Sequence, residues 1–224
     1  MVAGDGYAYQ RSKPRCGYRE CYIVLEVKDR EFDEELGRRV ANVLGREPLN
    51  PRLNKYGRWV VQVQSRTLYE LLKKPIDIDK IRPYVEHCER CISIFLRGFF
   101  DSEASVHKDG TIIVYNTDHA LLKYVIYLLK KIGIETTSDE PKLQLQAGTP
   151  LRAPNTGKLY KRRKDKYYVM IRMSFNKRFY ENVGFTIDRK RRRLEEYLRR
   201  RGLIPTPLSF PPPSFFHLPI IKPT

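Results

Sequence analysis

The chain has 224 residues, with 43 lysines and arginines set against 26 aspartates and glutamates, a formal net charge of +17. That length fills two small domains or one pseudosymmetric unit with a usable core, and the charge points to a polyanionic partner, nucleic acid foremost. No apolar run is long enough to span a bilayer and the first residues lack a signal-peptide layout, so an intracellular protein acting away from membranes is expected.

In chain order, Tyr7, Tyr9, Arg11, Lys13, Arg15 and Arg19 form a basic, aromatic arm suited to contacts with a nucleic-acid groove. Cys21 to Lys28 then alternates: Cys21, Ile23, Leu25 and Val27 share one face, while Tyr22, Val24, Glu26 and Lys28 share the other, as in a half-buried strand. Leu36, Val40, Val43 and Leu44 make a helical stripe able to cover the apolar side. A second strand, Arg58 to Gln64, turns Trp59, Val61 and Val63 one way and Arg58, Val60, Gln62 and Gln64 the other. Leu68, Leu71 and Leu72 predict a short closing helix.

The order then repeats. A helix carrying Ile92, Phe95, Phe99 and Phe100 runs into Asp101 and Glu103, with Gly98 leaving room for a second backbone to approach. Ser105, His107 and Lys108 follow on a strand-like run. A strand near Thr111 to Asn116 precedes a helical stripe of Leu121, Leu122, Val125, Leu128, Leu129 and Ile132. A basic insertion in which Lys161, Arg162, Arg163, Lys164 and Lys166 interleave with Tyr160, Tyr167 and Tyr168 reads as a hairpin extension. The next strand, Tyr168 to Ser174, has Val169, Ile171 and Met173 on its covered side and Arg172 and Ser174 on its open side. A helix over Asp188 to Arg201 carries eight cations able to meet phosphates at a flank. From Pro205 the chain becomes an irregular, proline-rich tail. The cysteines pair by spacing as Cys16 with Cys21 and Cys88 with Cys91. Structural thiols or disulfides are preferred there over zinc or redox chemistry.

Leu96 to Ala104 resembles the LAGLIDADG signature of homing endonucleases, with Gly98 at its first glycine, Asp101 at its first acid and Glu103 at its second. Met1 to Gly6 resembles the tail of another copy, which sets Asp5 against Glu103. The resemblance implies an α+β fold of two pseudo-twofold-related αββαββα half-domains, residues 1–91 and 92–204, followed by the tail 205–224. Antiparallel sheets would form a DNA-binding saddle around interface motif helices. It further implies a monomeric, Mg²⁺-dependent enzyme that hydrolyses both strands of a long duplex DNA target. Asp5 and Glu103 would hold the metal with Gly4 and Ser102 beside them, and Asp101 would cap the partner motif helix. Lys28 and Asn116, at comparable strand ends, would organise water, while Arg66 and Lys177 would stabilise the phosphoryl transition state. An intron maturase that binds intron RNA, and a non-cleaving DNA-binding regulator, are the alternatives on the same fold.

Overall fold

In the computed structural model, which describes residues 6–12, 19–152 and 157–205, the chain begins as a hairpin of β1 (Tyr7–Ser12) and β2 (Arg19–Val27). The stretch read as an arm is therefore partly an edge strand. Gly4, Asp5, Lys13, Arg15 and Cys16, and most of the tail, lie outside the described residues.

Helix α1 (Arg30–Leu44) follows β2 and ends at Gly45, whose φ of 62° is the left-handed conformation that lets the Gly45 N–H reach the Ala41 carbonyl. Its Phe32, Leu36 and Val40 pack on Ile23, Leu25 and Val27 of β2 and on Val61 and Val63 of β4 (Trp59–Gln64). The expected alternation thus resolves into one apolar and one open face. A two-residue strand β3 (Arg52–Leu53) pairs with β4, giving the strand order β1-β2-β4-β3. Two short helices, α2 (Arg66–Leu72) and α3 (Ile78–Val85), complete this half. Helix α3 keeps Pro83 inside it, and Asp77 caps its start by accepting the Lys80 N–H at 3.3 Å.

The second half starts with α4 (Glu89–Glu103), then β5 (Ala104–Val106), β6 (Ile112–Asn116) and α5 (His119–Lys131). After β7 (Lys142–Leu145), a separate hairpin of β8 (Pro150–Arg152) and β9 (Leu159–Lys161) leads into β10 (Lys166–Met170). The sheet order β5-β6-β10-β7 repeats that of the first half, the fourth strand lying beside the second in each. Helices α6 (Asn176–Asn182) and α7 (Asp188–Arg200) close the chain.

The larger core lies beneath this second sheet. Fully buried Phe99, Phe100 and Phe179 meet there, the last two with ring centroids 4.9 Å apart. Each such ring contributes roughly 1.5–3 kcal/mol by leaving water. The cores also interlock: Ile76, Ile81 and Val85, beside and within α3, join the larger cluster, and Ile187 joins the smaller one.

One strand differs from expectation. β10 ends at Met170, and the chain turns through a 3₁₀ segment at Met173–Phe175, so Met173 is exposed rather than covered. Arg172 and Ser174 lie past the strand: Arg172 faces Glu135 at 3.6 Å, and Ser174 borders a depression with Asp109 and Tyr197. Alternation through Ser174 looked continuous because a 3₁₀ turn leaves no mark on a period of two.

Candidate active site

Glu103 is the last residue of α4, where the backbone swings from helix into β5 at Ala104. Two buried side chains fix that helix end. The Lys190 ammonium donates to the Phe100 carbonyl at 3.1 Å, which also accepts the Ala104 N–H, and to the Asp101 carbonyl, an acceptor in the last turn that the helix leaves open. The Asp101 carboxylate accepts the Thr186 N–H at 3.1 and 3.0 Å and the Ile187 N–H at 3.1 Å. Burial pushes the Asp101 carboxyl up, whereas these amides and Lys190 pull it down. The Asp101 carboxylate thus holds the residues that lead into α7, which has no side-chain cap of its own, while the motif copy it was expected to cap lies outside the described residues. The contact is tertiary: the accepting carboxylate and the amides it serves lie about 85 residues apart.

Half-buried Glu103 borders a cleft of about 630 Å³ lined from both halves. Ser102, Tyr115, Asn116 and Asp118 line it from the second half and Lys74 from the first, while Arg162, Lys164 and Lys166 form a cationic wall. Burial lowers the Lys166 pKa first and repulsion from Arg162 adds to this, while the Glu103 carboxylate acts in the opposite sense. The Lys166 ammonium also sits 4.3 Å from the centroid of the Tyr115 ring. Ser102 hydroxyl donates to the Gly98 carbonyl at 2.8 Å. Asn116 Oδ1 accepts the Asp118 N–H at 2.9 Å, and Asp118 in turn caps α5 through the Leu121 N–H.

Other expected catalytic positions separate. The helix caps Asp29 and Asp118 are equivalent, which aligns Lys28 with Thr117 and Asn116 with Val27. Lys28 and Asn116 thus differ by one residue and point to opposite faces, and only Asn116 lines the cleft. Arg66 and Lys177 are exposed on α2 and α6 and are absent from its lining; Lys177 lies 3.9 Å from Glu181. Lys166, expected only as a cation of the basic insertion, lines the cleft together with Lys74, which no sequence pattern marks.

The open faces follow from register. Tyr7 pairs with Val24, Tyr9 with Tyr22, Tyr22 with Gln64, Val24 with Gln62 and Glu26 with Val60, so the expected Tyr7, Tyr9, Tyr22, Glu26, Gln62 and Gln64 share one surface with Arg11. Tyr9 and Tyr22 stack at 5.2 Å. Arg58 lies 3.9 Å from Glu26, Arg19 is exposed at the start of β2, and Arg52, missed earlier, stands beside Val60. In the second sheet Ser105 pairs with Ile113, while Tyr115 pairs with Tyr168 and Tyr168 with Lys142. His107 and Lys108 occupy the turn from β5 to β6. Gly110 there takes φ 89° against the Tyr197 ring, and any Cβ would strike that ring at 2.5 Å. Lys161, Arg162, Arg163 and Lys164 belong to the strand β9 and the link into β10.

The cations of α7 are mostly committed internally. Arg189 makes a bidentate pair with Asp29 at 2.8 and 2.9 Å, Lys190 is buried, Arg193 donates to the Val106 carbonyl and Arg200 to that of Lys108. The Arg189 pairing holds the Asp29 carboxyl below its ordinary range. Expected phosphate ligands of this helix therefore serve as internal staples, Arg189 reaching the first half and Lys190, Arg193 and Arg200 holding α7 to the second.

Glu103, with hydroxyl, amide and carboxylate oxygens of Ser102, Asn116 and Asp118 around one open cleft, is a hard-oxygen donor set that fits Mg²⁺. Cys21, Cys88 and Cys91 are free thiols. Hydrogen bonds from His87 first, and then from Cys91, draw the Cys88 thiol down to about 7.

Two halves of repeated strand order, interlocked around a helix that delivers an acid to a basic cleft, define a two-sheet α+β architecture of repeated halves. A family model described as a LAGLIDADG-like domain matches residues 90–184. The chain is 31% identical over 203 residues to the uncharacterized protein MJ0398 of Methanocaldococcus jannaschii, covering 87% of this chain and 68% of that one. It is 32% identical over 146 residues to MJ0314 of the same organism, covering 60% and 52%. Its fold is similar to that of the homing endonuclease I-DmoI, with a TM-score of 0.55 at 17% identity over 82% of this chain and 90% of that one. The chain belongs to the LAGLIDADG family. A variant of I-DmoI has been crystallised with its target DNA in the presence of magnesium, and I-DmoI with DNA and manganese.

Proposed function

We propose that this chain is a monomeric, sequence-specific DNA endonuclease that uses a divalent metal, Mg²⁺ foremost, to make a double-strand break inside the cell. The observation that carries the reading is Glu103, delivered by α4 into a cleft walled by Lys166, Arg162 and Lys164. Both sheets come from one chain, so a single molecule can address both strands.

Duplex DNA would lie along the two open faces. Gln62, Gln64 and Tyr22 can present donors, acceptors and a ring to base edges, and the β8–β9 hairpin can bring its cations to phosphates. Glu103 would hold the metal together with Asp5, whose matching motif position supports the pairing. The ion, when bound, supplies Lewis-acid polarisation of the scissile phosphate and lowers the pKa of an attacking water. Asn116, fixed by its bond to the Asp118 amide, positions that water. Lys166 and Lys74 offset the charge that grows on the phosphoryl oxygens as the P–O3′ bond breaks.

Glu103→Gln should leave duplex affinity within a factor of about three and cut Mg²⁺-dependent cleavage on the order of a thousandfold. Incubation with a randomised duplex library, followed by sequencing of the cut ends, measures both the activity and the target. Undiminished cleavage by the variant removes Glu103 from the mechanism. Binding without cuts by the wild-type chain favours the regulator instead.

A further inference from the structure

The opposite end of α4 carries a second constellation of different chemistry. Cys88 is the N-cap of the helix, accepting the Cys91 N–H at 3.3 Å, and the two sulfurs lie 3.1 Å apart. His87 immediately precedes them, and one donor atom from each of His87, Cys88 and Cys91 lies within 4.8 Å of the other two. A tetrahedral zinc site, with Zn–S near 2.3 Å and Zn–N near 2.0 Å, sets its ligand atoms roughly 3.5–3.8 Å apart. Small rotations of exposed side chains span that difference.

The backbone bearing these donors is held from both sides. Glu86, the residue before His87, accepts from the Tyr127 hydroxyl at 2.9 Å and the Lys131 ammonium at 2.6 Å, which pins the end of α3 to α5. Cys91 is fixed in the first turn of α4. Ligands on rigid elements lose little freedom when a metal binds.

We propose that His87, Cys88 and Cys91 form a three-ligand site for Zn²⁺ or a similarly soft divalent cation, with its fourth position open to water. Two thiolates and a neutral imidazole select such an ion over Mg²⁺, and the oxygen donors around Glu103 select the reverse. The helix sets the two sites roughly 22 Å apart, so each metal occupies its own end of α4.

Titration of the reduced, metal-free full-length protein with Co²⁺ tests this, because tetrahedral cobalt bound by thiolate gives visible d–d bands and a thiolate charge-transfer band. One equivalent should develop both, Zn²⁺ should displace the cobalt, and excess Mg²⁺ should not. Cys88→Ser and Cys91→Ser should abolish the charge-transfer signal while far-UV circular dichroism stays native. His87→Ala should weaken binding tenfold or more, and Glu103→Gln should leave the spectrum unchanged. Absence of a tetrahedral spectrum, or its persistence in both cysteine variants, overturns the site.

Discussion

The two sheets share a strand order but carry different surfaces. In the first, the open face presents tyrosines and amides, with Tyr9 stacked on Tyr22 and Gln62 and Gln64 exposed beside them. In the second, the chain inserts the β8–β9 hairpin between the third and fourth strands and brings Arg162, Lys164 and Lys166 to the Glu103 cleft. Under the proposed function, the contrast would give base discrimination chiefly to the first half and phosphate neutralisation chiefly to the second. The interiors differ as well. Four residues after the equivalent helix caps, α1 buries Asp33 where α5 buries Leu122, both fully enclosed.

Neutralising the hairpin breaks the comparison most severely. Changing Lys161, Arg162, Arg163 and Lys164 together to glutamine should lower duplex affinity on the order of a hundredfold to a thousandfold for target and non-target DNA alike. A plot of log K against log salt should flatten by about 0.9 for each phosphate contact removed. A loss confined to the target sequence would move base reading into the second half.

Asp101→Ala probes a tie inside the second half that the first half has no described counterpart for, the hold of α4 on the start of α7. It strips the Thr186 and Ile187 amides of their acceptor and leaves Lys190 without its nearby carboxylate, at a cost of about 3 kcal/mol in urea unfolding. The exposed Asp29–Arg189 pair should be worth under about 1 kcal/mol in the same experiment.

Asp33 gives the first half a pH dependence that Leu122 cannot give the second. Burial foremost, and then the charge of Glu26, raise its carboxyl from 3.8 to about 7, and neither of its oxygens has a hydrogen-bond partner. Above pH 3.8 the unfolded chain loses this proton while the folded chain keeps it, so stability from this group falls as pH rises and the loss is complete above about 7. Asp33→Asn should stabilise the protein at pH 8 by on the order of 2–3 kcal/mol and leave it nearly unchanged at pH 4. Thermal melts at the two pH values measure the difference.

The smallest expected effect is on reading. Gln62→Ala or Gln64→Ala should cost about 1–2 kcal/mol of discrimination at one or two base-pair positions and leave the salt slope unaltered. Selection from randomised target libraries would show which positions relax.

Period-two and period-3.6 patterns determined much of this molecule from the sequence alone. They set β2, β4, α5 and α7 close to their observed bounds but caught only the last part of α1, whose Val43 is exposed, and they separated Ile23, Leu25, Val61 and Val63 from Tyr22, Glu26, Gln62 and Gln64. The motif around Asp101 and Glu103 was likewise legible, because a helix, a glycine and two acids at fixed spacing are local. Elements whose stability comes from neighbours were not. Helix α3 hides behind Pro83 and is held by the buried Ile81 and Val85, and β3 is two residues that pair only because β4 is there. Tertiary structure alone decided that Asp101 serves α7, that Arg189, Lys190 and Arg193 stitch the protein to itself, and that Lys74 meets Lys166 at one cleft. A charge or donor in sequence records what a side chain can do, whereas its partner is set by which distant backbone the folded core brings within about 3 Å.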